Sequence, residues 1–190
     1  MEEKINLDDL SSKDPGVKFG CAKKLLSIAR NDPSLLYPDI DFFIRILNSE
    51  NRILKWTAID IIGNLSRVDK DNKVDKLIRK MYGYLNSGEL ITVNHAISAL
   101  SDIALAKPEY QDDIISELLK VEHYSYPTDE CRNIAIGKVI LAFGNYSDKL
   151  VNNKEVIAFV SRQTKNRRSA TAKKAEQLLR KLNRTSENKH

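Results

Sequence analysis

Nucleophilic catalysis needs a nucleophile, a base within hydrogen-bond reach and usually a third group that orients the base. The chain offers three histidines for such work, His95, His123 and His190, and none of them stands in a motif. There is no Gly-x-Ser-x-Gly elbow, no His-Glu-x-x-His, no glycine-rich phosphate loop and no Cys-x-x-Cys. His95, beside Ala96, reads as a partly buried helix histidine, and the acid pairs Asp8-Asp9 and Asp112-Asp113 read as helix-terminal or solvated charges. Cys21 and Cys131 lie 110 residues apart, each without a second thiol or a histidine nearby, which is neither a disulfide framework nor a zinc signature. The expectation is a chain with no catalytic residue, no metal and no cofactor.

Charge is the next property able to do chemistry, and it is unevenly spread. Residues 162–190 carry ten Lys and Arg against two Glu, a net of +8, whereas residues 1–161 sum to −3. Such a basic end attracts phosphates or an acidic protein, and Arg162, Arg167, Arg168, Lys173 and Arg180 are the candidate phosphate contacts. The competing reading is a solvated last helix with a frayed tail.

The elements that would position these groups follow from composition and periodicity. At 190 residues and 21.6 kDa, the chain fits one compact domain or a short repeat array. With 42% hydrophobic and 30% charged residues and a mean hydropathy of −0.41, it is neither disordered nor membrane-spanning in composition. No stretch approaches the roughly 18 to 20 apolar residues needed to cross a bilayer, and Met1-Glu2-Glu3-Lys4 is followed by no apolar run. A reducing, cytoplasmic location without membrane contact is expected.

A repeat runs through the chain. An alanine is followed at +3, +4 and +7 by apolar residues at Ala22 (Leu25, Leu26, Ala29), Ala58 (Ile61, Ile62, Leu65), Ala96 (Ala99, Leu100, Ile103) and Ala175 (Leu178, Leu179, Leu182). Ala135 belongs to the series with Val139 and Ala142, although Lys138 breaks its +3 position. The intervals are 36, 38, 39 and 40 residues. Those offsets place the side chains on one stripe of a helix, and the small alanine lets a neighbouring helix come close. Between the alanine helices lie further stripes: Ile40, Phe43, Ile44 and Leu47; Val74, Leu77, Ile78, Met81 and Leu85; Ile114, Ile115, Leu118 and Leu119; Val156, Ile157 and Val160. Asp14-Pro15-Gly16, Asn31-Asp32-Pro33, Asn86-Ser87-Gly88, Lys107-Pro108 and Tyr126-Pro127-Thr128 fall between stripes, as turns must. No strand pattern persists. The pattern predicts an all-α chain of about ten helices in five pairs, opened by a weak helix near Ile5–Leu10, whose stacking into a curved rod buries the stripes.

The run Ser49-Glu50-Asn51-Arg52-Ile53-Leu54-Lys55-Trp56-Thr57-Ala58-Ile59-Asp60-Ile61-Ile62-Gly63-Asn64-Leu65 carries a family likeness. It resembles the HEAT-repeat (armadillo-like) family, with Lys55 where such repeats often carry Arg; the other units have Phe19, Val93, Arg132 and Ala172 there. The resemblance implies an α-α superhelix, a HEAT-like solenoid of about five helix pairs. It divides residues 1–184 into repeats 1–31, 32–68, 69–107, 108–147 and 148–184, with 185–190 as a disordered tail. It also implies partner binding along the inner, second-helix surface and no particular reaction.

On the second helix of the second repeat, Trp56, Asp60, Gly63 and Arg67 lie opposite the core stripe. Transferring the offsets adds Lys24, Ser27, Asn94, Ser98, Ser101, Asn133, Gly137, Ile140, Lys173, Gln177 and Arg180. Lys24, Trp56, Asp60, Arg67, Asn94, Ser98, Ser101 and Asn133 are therefore the expected contacts for a protein or peptide partner, with Trp56 as aromatic anchor. The alternative is that these residues are small because helices crowd there. A non-enzymatic scaffold is the first expectation, and nucleic-acid binding through the basic end is the second. Some HEAT-like solenoids are DNA-alkylation-repair glycosylases with inner-face Trp and Asp, so Trp56 and Asp60 imply a third, weakened by Thr57 and by the lack of another Trp.

Overall fold

The computed structural model describes residues 6–187 and contains ten α-helices and no strand among them. Contacts divide the chain into two compact units, the first ending at Ile78 and the second beginning at Arg79. The division falls inside the repeat expected at 69–107.

The first unit opens with a 3-10 turn, Leu7–Ser11, in place of the weak helix expected near Ile5–Leu10; Ile5 lies outside the described residues. Helix α1 (Pro15–Asn31) starts where Asp14 accepts the N–H groups of Gly16 and Val17 at 2.7 and 3.3 Å, with Pro15 in the first turn. It ends before Pro33, which begins one of two 3-10 turns ahead of the short α2 (Ile40–Ile46). Asn51 then caps α3 (Arg52–Leu65) by accepting from Ile53 and Leu54. Helix α3 packs on both α1 and α2. Ala58, Ile61, Ile62 and Leu65 are all 0% exposed, so the alanine stripe is the core. The loop after α3 is held by Asp69, which accepts from the N–H groups of Lys73 and Val74 and from the Tyr37 hydroxyl, each at 2.9 Å. Burial pushes the Tyr37 hydroxyl up to about 12, opposed by the Asp71 N–H and reinforced by the Asp69 and Asp71 carboxylates.

In the second unit the alanine helices are α5 (Leu90–Ala106), α7 (Asp129–Gly144) and α10 (Ser169–Glu187). Helix α4 (Ile78–Leu85), which starts at the boundary, precedes them, and α6 (Gln111–Leu119), the four-residue α8 (Ser147–Leu150) and α9 (Lys154–Gln163) lie between them. Helix α5 packs on α7, α7 on α10, and α10 on α8 and α9. Ala96, Ala99, Leu100, Ile103, Ala135, Val139 and Ala175 are fully buried. Phe143 meets Phe159 and Tyr146 edge-on at 6.1 and 6.2 Å, tying α7 to the α8–α9 segment. Helix α10 runs through residues 185–187, which the sequence places in a disordered tail; residues 188–190 lie outside the described residues. No helix among the described residues is long and apolar enough to cross a membrane.

Candidate functional site

The expected polar ladder meets different fates in the two units. In the first, Lys24 is exposed on α1, while Trp56 and Asp60 are half-buried on α3 and engaged with neighbouring groups. Gly63 is buried rather than open, because α3 is enclosed by α1 and α2 on neighbouring sides. Arg67 is committed elsewhere. Its guanidinium donates to the carbonyls of Ala29 (2.6 Å), Arg30 (2.8 Å) and Asn64 (3.2 Å). Two of those carbonyls belong to the last turn of α1, where no further turn exists to use them.

In the second unit, Asn94 and Ser98 are half-buried on α5, and the Ser98 hydroxyl donates back to the Asn94 carbonyl at 3.2 Å. The Asn94 side-chain oxygen is itself shielded without a hydrogen-bond partner among the described residues. Ser101 is only 2% exposed and does not face outward. Its hydroxyl donates to the Ala142 carbonyl at 3.5 Å and accepts from Asn145, joining α5 to α7. Asn133 is bound up with the α9–α10 connection: its side chain accepts from Asn166 at 3.0 Å and its carbonyl from the Thr171 hydroxyl at 2.8 Å.

The outward stripe of α7 is rotated by one residue from the expected one. Gly137 and Ile140 are buried, and the solvent side carries Ile134, Lys138 and Leu141. One residue turns a helix by about 100°, enough to exchange a packed position for an open one. Lys138, which interrupts the apolar series, is the sequence signal that marks the open side. On α5 the corresponding stripe is Ile91, Asn94, His95, Ser98, Asp102 and Leu105. Ile91, Leu105 and Leu141 are 52%, 42% and 49% exposed, and they are the large apolar side chains of this unit left exposed among the described residues.

The five basic candidates are also divided. Arg162 on α9 donates to Glu122 at 2.6 Å, beside an open depression of about 340 Å³ that Ser116, His123 and Glu155 help to line. Arg168 donates to Glu130 at 2.8 Å, and Arg180 lies 3.8 Å from Glu176 one turn back along α10. Arg167 and Lys173 are exposed. Lys174 was not among the expected contacts, yet it is the perturbed one. Burial, with Arg168 and Lys138 nearby, holds its ammonium below the ordinary lysine value. Among the described residues no group of three His, Cys, Asp or Glu is placed to hold a metal.

Comparison with known proteins finds structural likenesses at low identity. The chain is similar to a crystal structure of an engineered protein, at 15% identity and a TM-score of 0.48, over 93% of this chain and 94% of that one. It is also similar to a designed armadillo repeat protein, at 14% identity and a TM-score of 0.35, over 92% of this chain and 97% of that one. No protein-family model and no curated protein matches it.

Proposed function

We propose that the chain is a non-enzymatic binding module that holds a protein or peptide segment on the outward stripe of α5 and α7, next to α10. The observation that carries this reading is the placement of Ile91, Leu105 and Leu141, exposed large apolar side chains set on second helices of the unit. Large apolar side chains left on solvent-facing helix stripes among polar neighbours offer anchors for a partner. Half-buried Asn94 and Ser98 between them supply polar groups able to meet a peptide backbone. The module works without cofactor, in a reducing compartment where Cys21 and Cys131 remain thiols.

The test is a Leu105→Ser/Leu141→Ser double variant. It should keep the helical circular dichroism of the parent and lose the partners that co-purify with the parent from its own cells. An unchanged set of partners, identified by mass spectrometry, would remove the reading. Exposed Arg167 and Lys173 favour a second reading, a nucleic-acid ligand. Its affinity must fall steeply as salt rises, since phosphate contacts release counterions.

A further inference from the structure

At Gly137 the side chains of α10 press directly on the backbone of α7. A Cβ added there would lie 2.7 Å from the Thr171 hydroxyl oxygen and 3.7 Å from the Lys174 ammonium nitrogen. The missing side chain lets Thr171, fully buried, hydrogen-bond the Asn133 carbonyl. It also seats the Lys174 ammonium over the α7 backbone, next to the residue that carries Lys138. Arg168, at the start of α10, approaches the same ammonium closely enough to depress its protonation, as does Lys138.

The Lys174 ammonium thus sits against α7 at Gly137, and Lys138 and Arg168 both repel it. The carboxylate that answers them is Glu130, which binds Arg168 at 2.8 Å and is itself 62% exposed. Lys138 and Lys174 have neither hydrogen bond nor ion pair among the described residues. Lys174 meets α7 in mid-helix, where the carbonyls serve the helix ladder and that of Asn133 also accepts from Thr171. Half-burying an ammonium beside like charges disfavours the folded chain, and no carboxylate among the described residues pairs with Lys174. An anion would supply the missing acceptors. The apolar neighbours on α7, Ile134 one turn before Lys138 and Leu141 one turn after it, give the spot a greasy margin that a run of phosphodiesters would not use.

We propose that Lys138, Lys174 and Arg168 form a seat for one anionic side chain, a carboxylate or a phosphate monoester, carried by a bound peptide whose apolar residues rest on Ile134 and Leu141. The proposal builds on the binding face described above and names the chemistry of its partner: an acidic segment interleaved with apolar residues.

The experiment uses the full chain and a short fluorescein-labelled peptide of alternating leucine and glutamate, a version with one phosphoserine, and a version with glutamine for glutamate. Binding is read by anisotropy for the parent, Lys138→Gln, Lys174→Gln and the remote control Lys149→Gln, with folding checked by circular dichroism. The acidic and phosphorylated peptides should bind the parent. Each of Lys138→Gln and Lys174→Gln should weaken them about tenfold, the size of one lost charge-assisted contact, while Lys149→Gln should change nothing. The phosphoserine arm separates the two anion sources. Equal binding to parent and to both lysine variants overturns the seat while leaving the peptide-binding face standing. Thermal stabilisation by inorganic phosphate that depends on Lys174, with no peptide bound, supports the seat and overturns that face. A single-stranded oligonucleotide that binds more tightly than every peptide, through Lys174, overturns the peptide as occupant. Silence from peptides and phosphate alike overturns both.

Discussion

Arg67, in the 3-10 turn that follows α3 in the first unit, and Lys174, on α10 in the second, are both cations laid against an earlier helix, and they meet opposite surroundings. Arg67 reaches the last turn of α1 and finds orphan carbonyls at 2.6 and 2.8 Å. Lys174 reaches the middle of α7, where the carbonyls serve the helix ladder and Thr171 holds that of Asn133, and it is repelled by Arg168 and Lys138. Lys181 supplies an internal control: it comes from the same helix as Lys174 but arrives at the end of α7, and it bonds the Gly144 carbonyl at 3.2 Å. The lesson is that position along the neighbouring helix decides whether a cation closes the fold or stays available to a ligand.

The broadest way to break this comparison is to remove the core that sets both helix contacts. Ile62→Ala in the first unit and Leu100→Ala in the second, both 0% exposed, should each cost about 2–5 kcal/mol in denaturant unfolding. A cost below about 0.5 kcal/mol for either would contradict the stripe as core. Next in size is Arg67→Met, which keeps the aliphatic stem and deletes the donors. It should cost about 1–2 kcal/mol, since the α1 carbonyls are left without partners. Gly137→Ala sets a helix-propensity gain of about 1 kcal/mol against the 2.7 Å clash with Thr171, a buried and hydrogen-bonded side chain. The clash should win by about 1 kcal/mol, whereas Gly20→Ala on α1, with nothing within 4 Å, should stabilise.

Lys174→Gln should have the smallest effect, within about 0.5 kcal/mol and of stabilising sign. Its pH dependence is a sharper test than its size. The folded value lies below the ordinary lysine value of 10.5, so the folded chain binds fewer protons than the unfolded one in the window just below 10.5. The parent's stability relative to Lys174→Gln should therefore rise with pH across that window. Tyr37 in the first unit runs the other way. Its folded value is raised from 10.0 to about 12, so its contribution is whole below pH 10 and is lost as pH rises through 12. Comparing Tyr37→Phe with the parent across that range checks it.

The periodicity of Ala58, Ile61, Ile62 and Leu65 was enough to locate the core, because a helix stripe repeats whatever it packs against. Turn and cap chemistry was equally legible at Asp14-Pro15 and Asn51, where local side chains satisfy local N–H groups. The solvent-facing stripe of α7 was legible only to within one residue. Gly137 looks like an open small residue in sequence and is instead covered by Thr171 of α10, and Ser101 and Asn133 look like ladder polars while bonding across helices. Arg67 and Lys174 are indistinguishable as basic side chains until the carbonyls opposite them are known. These are long-range facts, set by partners 33 to 44 residues away, and no window of local sequence contains them.

The most direct measurement is amide chemical-shift mapping of the isotope-labelled chain with the leucine–glutamate peptide. Shifts centred on Ser98, Leu105, Lys138, Leu141 and Lys174 are the predicted result. Shifts centred instead on Ser116, Glu155 and Arg162, along α6 and α9, would contradict the account.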